Sequence, residues 1–545
     1  MSRMIWVAAL AAVTIGCKSE SSSSSRSSGG SAATAPKVGD GPQPQVGGNV
    51  RLPSTQPAYL NPILQTRYDL ANTILYEGLV TIDAKGDAVG RLAKSFEVSP
   101  DGLTITFKLR DNAVWHDGQK ITSEDVAFTF DTVRKYAGPT LWKGYMAPVV
   151  RIQTPDDTTV VVSYAQPYAP ALATWTMPIV AAHIFRGEDD LADAKGNREA
   201  VGSGPFKLVR WEQDRRIVLA ANDKWWGGKP LLASIELVLN VEDGAMLGQL
   251  RRGQLDWAPI RLIDDQAELS QSPDLLEQFE HQDAFEQRIR LIAWNTDHAP
   301  FDDKRVRQAL TMALDRSRVI DDVLHGQAQI VSAPLLPNTI VSDASIAPLP
   351  FDLARADKLL SEVVKAKGPP GAQRLVIKMV AAESQRSPIT DATFQIFRRD
   401  LQTLGVDLQL TILSGKDYEA AMVKRDFDAV YFGWLPDTPD PDPYTLLHST
   451  EITGANYAGF TNDEVDKLLD NARTTTDPKA RKALYAKIHA IVVDEMPYTA
   501  LYVPYGHYAW TRRLHNVGVR DLGVTPAVPG IARWWVSSTL PTPGE

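Results

Sequence analysis

Residues Phe427–Leu447 read FDAVYFGWLPDTPDPDPYTLL, and the stretch changes character halfway along. Phe427 to Trp434 is a compact apolar run with the β-branched and aromatic content of a buried strand. Pro436, Pro439, Pro441 and Pro443 then forbid a regular strand, while Asp437, Asp440 and Asp442 load the same segment with negative charge. The pattern predicts a strand running into a stiff acidic loop. Taken alone, such a loop also describes a solvated surface connection. Four prolines and no glycine-centred turn fit a calcium loop badly.

The sequence before it places the loop. Leu375–Val380 alternates as a strand, Asp391–Leu404 puts Phe394, Phe397, Leu401 and Leu404 on one helical face, and Gly405 ends that helix. Val406–Ile412 alternates again, and a shorter helix near Lys416–Arg425 leads to the Phe427 strand. These are βαβ units, whose parallel strands share one carboxyl edge, the edge at which open α/β sheets bind ligands. The first strand delivers Glu383, Gln385 and Arg386 there, and the last delivers Trp434 and Asp437. One anionic and one cationic group facing one crevice suit a zwitterion such as a peptide or amino acid, whose charges need partners once desolvated.

The whole chain sets wider bounds. Its 545 residues, 44% hydrophobic, suffice for two or three domains. A net charge of −9, with no basic stripe carrying interleaved aromatics, argues against a nucleic-acid partner. The single cysteine, Cys17, excludes an intrachain disulfide and a cysteine zinc site. Residues 1–16 have the shape of a secretory signal: Arg3, an apolar run from Met4 to Ile15, and a small residue before Cys17. That run is too short for a comfortable membrane span. Gly16-Cys17 resembles a bacterial lipobox, with Thr14 where that motif usually has Leu, which implies cleavage and lipid attachment at Cys17. Residues 17–48, rich in Ser, Gly and Pro, are expected to form a disordered tether, so the protein is expected outside the cytoplasm, anchored to a bacterial membrane.

From about residue 49 the chain is folded. Tyr68–Leu79 is expected to be a helix ending at Gly78, and Leu103, Ile105, Phe107 and Leu109 alternate as a strand. Thr122 with Asp125 forms a capping box before a helix burying Val126, Phe130 and Val133. His116 is expected to be a hydrogen-bonded structural histidine, Gly202-Ser203-Gly204-Pro205 a turn, and Trp225-Trp226 core. Val306, Ala309, Leu310, Ala313 and Leu314 form a buried stripe, flanked by Lys304, Arg305 and Arg307 as a solvated side.

The run LAKSFEVSPDGLTITFKLRDNAVWHDGQKITSEDVAFTF, with VGSGPFKL at 201–208, ANDKWWGGKP at 221–230 and WNTDHAPFDDKRVRQALTMALD at 294–315, resembles extracellular solute-binding protein family 5. These are receptors of oligopeptide, dipeptide and nickel ABC importers, and the resemblance covers residues 49–535. It implies an α/β, two-lobed periplasmic binding protein fold, type II-like with an additional domain, and a ligand cleft between lobes joined by a hinge. Lobe I would combine 49–78, 200–293 and 496–540, with 79–199 as the additional domain and 294–495 as lobe II. It further implies a monomeric, non-enzymatic receptor without cofactor or metal, which takes up a peptide and delivers it to an ABC permease.

In peptide-binding members an aspartate in a W-x-x-D pattern pairs with the peptide ammonium, which Trp434-Leu435-Pro436-Asp437 matches. By the same resemblance Arg386 would read the peptide carboxylate, although its Gln-Arg-Ser-Pro context is one residue out from the family's Gln-Arg-Pro. Gly433 and Leu435 would offer backbone groups to an extended peptide. Tyr68, within Thr66–Asp69, would meet the ligand from lobe I. A receptor for a metal chelate or oligosaccharide is the alternative, and a secreted hydrolase a further one. The chain has no H-E-x-x-H, and Gly202-Ser203-Gly204 is not G-x-S-x-G.

Overall fold

The strand foreseen in the opening stretch spans Ala429–Trp434 and lies inside an eight-stranded sheet. The computed structural model describes residues 43–83, 86–188, 190–286, 288–364, 373–435, 440–519, 521–522 and 530–537. Among these the sheet runs in the order Trp257–Ile260, Tyr498–Thr511, Ile289–Trp294, Ala429–Trp434, Leu375–Ala382, Val406–Leu413. Leu375–Ala382 is parallel to both its neighbours, as the βαβ pattern requires. The crossover helix Pro388–Gln402 starts with Ser387 accepting the Thr390 N–H, and Gly405, at φ +71°, turns the chain back into the sheet.

Alternation sorts the side chains of the sheet into two cores. Ala429 and Tyr431 join Ile292, Trp294, Met379 and Phe394 on one face. Val430, Phe432 and Trp434 join Leu291, Leu446, Tyr485 and Tyr498 on the other.

The strand Tyr498–Thr511 is 14 residues long and serves two groups of partners. Its first half pairs with Ile289–Trp294 and Ala328–Gln329, its second with Trp257–Ile260 and Phe279–Phe285. Beside it lie a mixed four-stranded sheet, Asn49–Ser54, Ser234–Leu239, Arg216–Ala221 and Phe206–Glu212, an antiparallel one, Ala93–Val98, Thr104–Leu109, Thr159–Tyr164 and Val149–Asp156, and two short two-stranded sheets. One continuous buried cluster runs through both four-stranded sheets, from Val50 and Leu237 to Phe107, Val126 and Trp175.

Local readings largely hold. Helix Ser123–Lys135 buries Val126, Phe130 and Val133, and the Asp125 carboxylate accepts the Thr122 N–H at 2.9 Å. Three readings need correction. The helix expected over Tyr68–Leu79 is only Leu70–Leu75, because Asp69 accepts the Asn72 N–H at 2.8 Å and starts it late. Gly78 serves a close approach instead of a helix end: a Cβ there would stand 2.6 Å from the Thr176 carbonyl oxygen. Arg307, expected on a solvated side, is 2% exposed, its guanidinium donating to the carbonyls of Phe301, Asp302, Glu495 and Met496. A planar fork that meets several carbonyls at once satisfies a buried cation where lysine could not.

The third correction concerns the acidic loop. Asp440 accepts two hydrogen bonds from Arg481, at 2.6 and 2.9 Å, and Asp442 accepts one from Arg473 at 2.6 Å. Burial pushes the Asp442 carboxyl above its usual range, against the pull of Arg473 beside it. Two of the three aspartates therefore fasten the loop to the helices Asp463–Thr474 and Pro478–Glu495 instead of presenting charge to solvent.

Candidate ligand-binding site

Leu375–Ala382 has Val406–Leu413 on one side and Ala429–Trp434 on the other, so the connections from the two parallel units leave in opposite directions. A crevice opens at such a switch point. Leu375–Ala382 pairs with Ala429–Trp434 only through Met379–Ala381, opposite Ala429–Tyr431. From Phe432 to Trp434 that edge has no strand partner among the described residues, which leaves backbone groups for an extended ligand.

Gly433 lies beside this gap, on the same face as Ala429 and Tyr431. A Cβ at Gly433 would come within 2.7 Å of the Arg290 Nη1 and 3.1 Å of the Arg288 Cδ. Arg290 faces Gly433 in the antiparallel register and donates to the Gln385 Oε1 at 3.0 Å. Gln385 is carried by the one-turn 3-10 helix Glu383–Gln385, held by the Thr390 hydroxyl donating to its carbonyl at 2.7 Å. Residues from two sequence-distant strands and a turn thus converge on one spot.

Of the site residues expected from sequence, Gly433 lies at the gap and Leu435 just beyond it, 36% exposed. Trp434 is 6% exposed and points to the other face, into the core with Ile289 and Leu446. Arg386 is exposed, its N–H bonded to the Glu383 carbonyl at 3.0 Å. Tyr68, half-buried, packs edge-on against Trp142 and shares a 3.1 Å hydrogen bond with the Tyr145 hydroxyl. The adjoining cavity of about 30 Å³ is lined by Gln65, Tyr76, Arg91 and Trp142; it holds a water or two, not a peptide. Asp437 and Cys17 lie outside the described residues.

Sequence reasoning missed Arg288 and Arg290. The available signal was the alternation in Arg288-Ile289-Arg290-Leu291, which puts two cations on one face of a strand otherwise apolar to Trp294. Where the two halves of the sheet meet, Phe285 stacks on Tyr505 with ring centroids 4.6 Å apart, and Phe285 is 36% exposed. An open strand edge with the Arg290 guanidinium standing over it forms a surface for an extended, partly anionic solute.

His116 bridges a neighbouring loop. Its Nδ1 accepts the Gly202 N–H at 3.0 Å, so the protonated Nε2 donates to the Gly204 carbonyl at 3.1 Å. Burial pulls its pKa down to about 4, keeping it neutral. Among the described residues no three His, Cys, Asp or Glu side chains gather as a metal site.

Comparison with known proteins gives this geometry its context. The sequence model described as bacterial extracellular solute-binding proteins, family 5 middle, matches residues 87–454. The oligopeptide-binding protein AppA of Bacillus subtilis (strain 168) is 26% identical over 553 residues, covering 96% of this chain and 95% of its own. The solved structure of that protein with a nonapeptide superposes with a TM-score of 0.74 at 24% identity, covering 91% of this chain and all of the other. NikZ from Campylobacter jejuni, solved with Ni(L-His), gives a TM-score of 0.76 at 21% identity over 91% of this chain and all of its own. Both neighbours share the two-lobed α/β fold. With more than half its length matched, the chain belongs to the bacterial extracellular solute-binding proteins of family 5, receptors for ABC importers rather than enzymes.

Proposed function

We propose that this protein captures peptides or peptide-like solutes outside the cytoplasm and hands them to an ABC permease. The observation that carries the reading is the unpartnered edge from Phe432 to Trp434 at the switch point, where an extended peptide can add as a strand. The similarity to an oligopeptide-binding protein over almost the full chain supports it. In this proposal lobe I is 49–78 with 200–293 and 496–540, the additional domain is 79–199, lobe II is 294–495, and a hinge joins the two lobes.

Asp437 reads the peptide ammonium in this proposal, on the strength of its W-x-x-D context. Native mass spectrometry of the protein as purified is expected to show a ladder of peptide-mass adducts. Asp437→Ala should abolish it, weakening peptide binding by about 2–5 kcal/mol, the cost of leaving a buried charge without its partner. Unchanged peptide affinity in that variant removes the assignment, and a single non-peptide adduct moves the reading to a chelate or another solute.

The protein works as a monomer held to the membrane by lipid on Cys17. No helix among the described residues is long and apolar enough to cross a membrane. Cys17→Ser should move the protein from the membrane to the soluble fraction; continued membrane retention counts against the anchor.

A further inference from the structure

We propose that Arg288 and Arg290 form a reader for an acidic group on the solute, so that this receptor selects carboxylate-bearing ligands through the start of the Ile289–Trp294 strand and not through Arg386. The inference rests on the receptor reading above, and goes beyond it by naming the charge recognised and the residues that recognise it.

Two residues apart in extended chain, the side chains share one face. Arg290 reaches the space above Gly433 with its Nη1, 2.7 Å from the position of a Cβ there, and Arg288 with its Cδ, 3.1 Å from it. Neither makes an ion pair with a described carboxylate; the Gln385 amide oxygen, a neutral acceptor, is the partner of Arg290. Arg91, Arg473 and Arg481, each buried or half-buried, pair with Glu77, Asp442 and Asp440. The Arg290 guanidinium stands over a glycine at the ligand edge with the aliphatic stem of Arg288 beside it, and an anion seated there meets the Arg290 charge directly and the Arg288 charge at the end of that stem. Guanidinium forks match a carboxylate in two-point geometry, and Gln385 holds the Arg290 fork by one hydrogen bond, its other donors having no hydrogen-bond partner among the described residues.

Gly433 completes the argument. Its backbone has no positive φ that would demand glycine. What a side chain at this position would displace is the Arg290 guanidinium, so the missing Cβ makes room for the reader.

The test uses the purified full chain with two probes, trialanine and trialanine amide, which differ in the terminal carboxylate alone. Calorimetry should give about tenfold or more tighter binding for the free acid, the worth of a charged hydrogen-bond pair. In Arg290→Gln and Arg288→Gln that preference should fall toward one. Gly433→Ala should do the same while melting like the wild type, which separates loss of the reader from loss of fold. Equal binding of acid and amide by the wild type overturns the proposal and leaves the peptide reading standing. If neither probe binds, the co-purified solute decides: an acidic non-peptide lost in Arg290→Gln upholds the reader while the peptide reading fails. A neutral solute, or none, overturns the reader.

Discussion

At the scale of the residue, His116 shows how a chemically suggestive side chain becomes structural. Both ring nitrogens are used by the Gly202–Gly204 backbone, and glycine is required there because a Cβ at Gly202 or Gly204 would stand 1.9 or 2.1 Å from the carbonyl oxygens of Leu75 and Ile74. The folded pKa of about 4 lies below the ordinary value of 6.5. The unfolded chain therefore binds the extra proton first, and stability falls as pH drops from about 6.5 toward 4. The loss on completing that window is on the order of 3 kcal/mol. In His116→Gln, which keeps a donor and an acceptor but cannot titrate, the slope of unfolding free energy over this pH range should flatten. An unchanged slope would place the acid sensitivity elsewhere. Glu77 makes the complementary point: it is 1% exposed and holds Arg91 at 2.7 Å and the indole N–H groups of Trp225 and Trp226 at 3.2 and 2.6 Å. The tryptophan pair was legible as packing. That it also solvates a buried carboxylate was not, because the partners lie about 150 positions apart in the chain.

At the scale of the element, the strand Ala429–Trp434 and its parallel neighbours were readable because period-2 alternation, a helical stripe and a terminating glycine all agreed. The loop after it was readable only as composition. Sequence shows that Asp440 and Asp442 are acidic but not that Arg481 and Arg473, 41 and 31 residues further on, come back to meet them. The same blindness to distant pairing hid Arg290, whose position over Gly433 depends on antiparallel register across about 140 residues. Asp440→Asn should leave the buried Arg481 with reduced compensation and lower stability by about 3 kcal/mol, the cost of removing one partner of a buried pair. A urea midpoint equal to that of the wild type would show the pair to be dispensable.

At the scale of the molecule, the loop before the helix Ala171–Thr174 reaches the far end of Asp463–Thr474, where the Ala169 N–H donates to the Arg473 carbonyl at 2.6 Å. Gly102 packs nearby, with a Cβ there placed 3.5 Å from the Thr476 methyl. Under the proposed function this contact forms as the lobes close on a solute, and hinge closure makes a receptor more compact. Small-angle scattering should therefore show a smaller radius of gyration when a bound peptide is present than after it is removed by partial unfolding and refolding. Identical profiles would argue for a rigid cleft.

The long strand Tyr498–Thr511 has a consequence for how the chain is made. It inserts between Trp257–Ile260 and Ile289–Trp294, which are synthesised more than 200 residues earlier. Until it emerges, the seam between those two strands is vacant, and the partners on either side present bare edges. Contacts this distant in sequence close slowly. A polypeptide with such a seam sewn last stays pliable through most of its synthesis, which is the condition a chain needs if it must be threaded across a membrane before it folds.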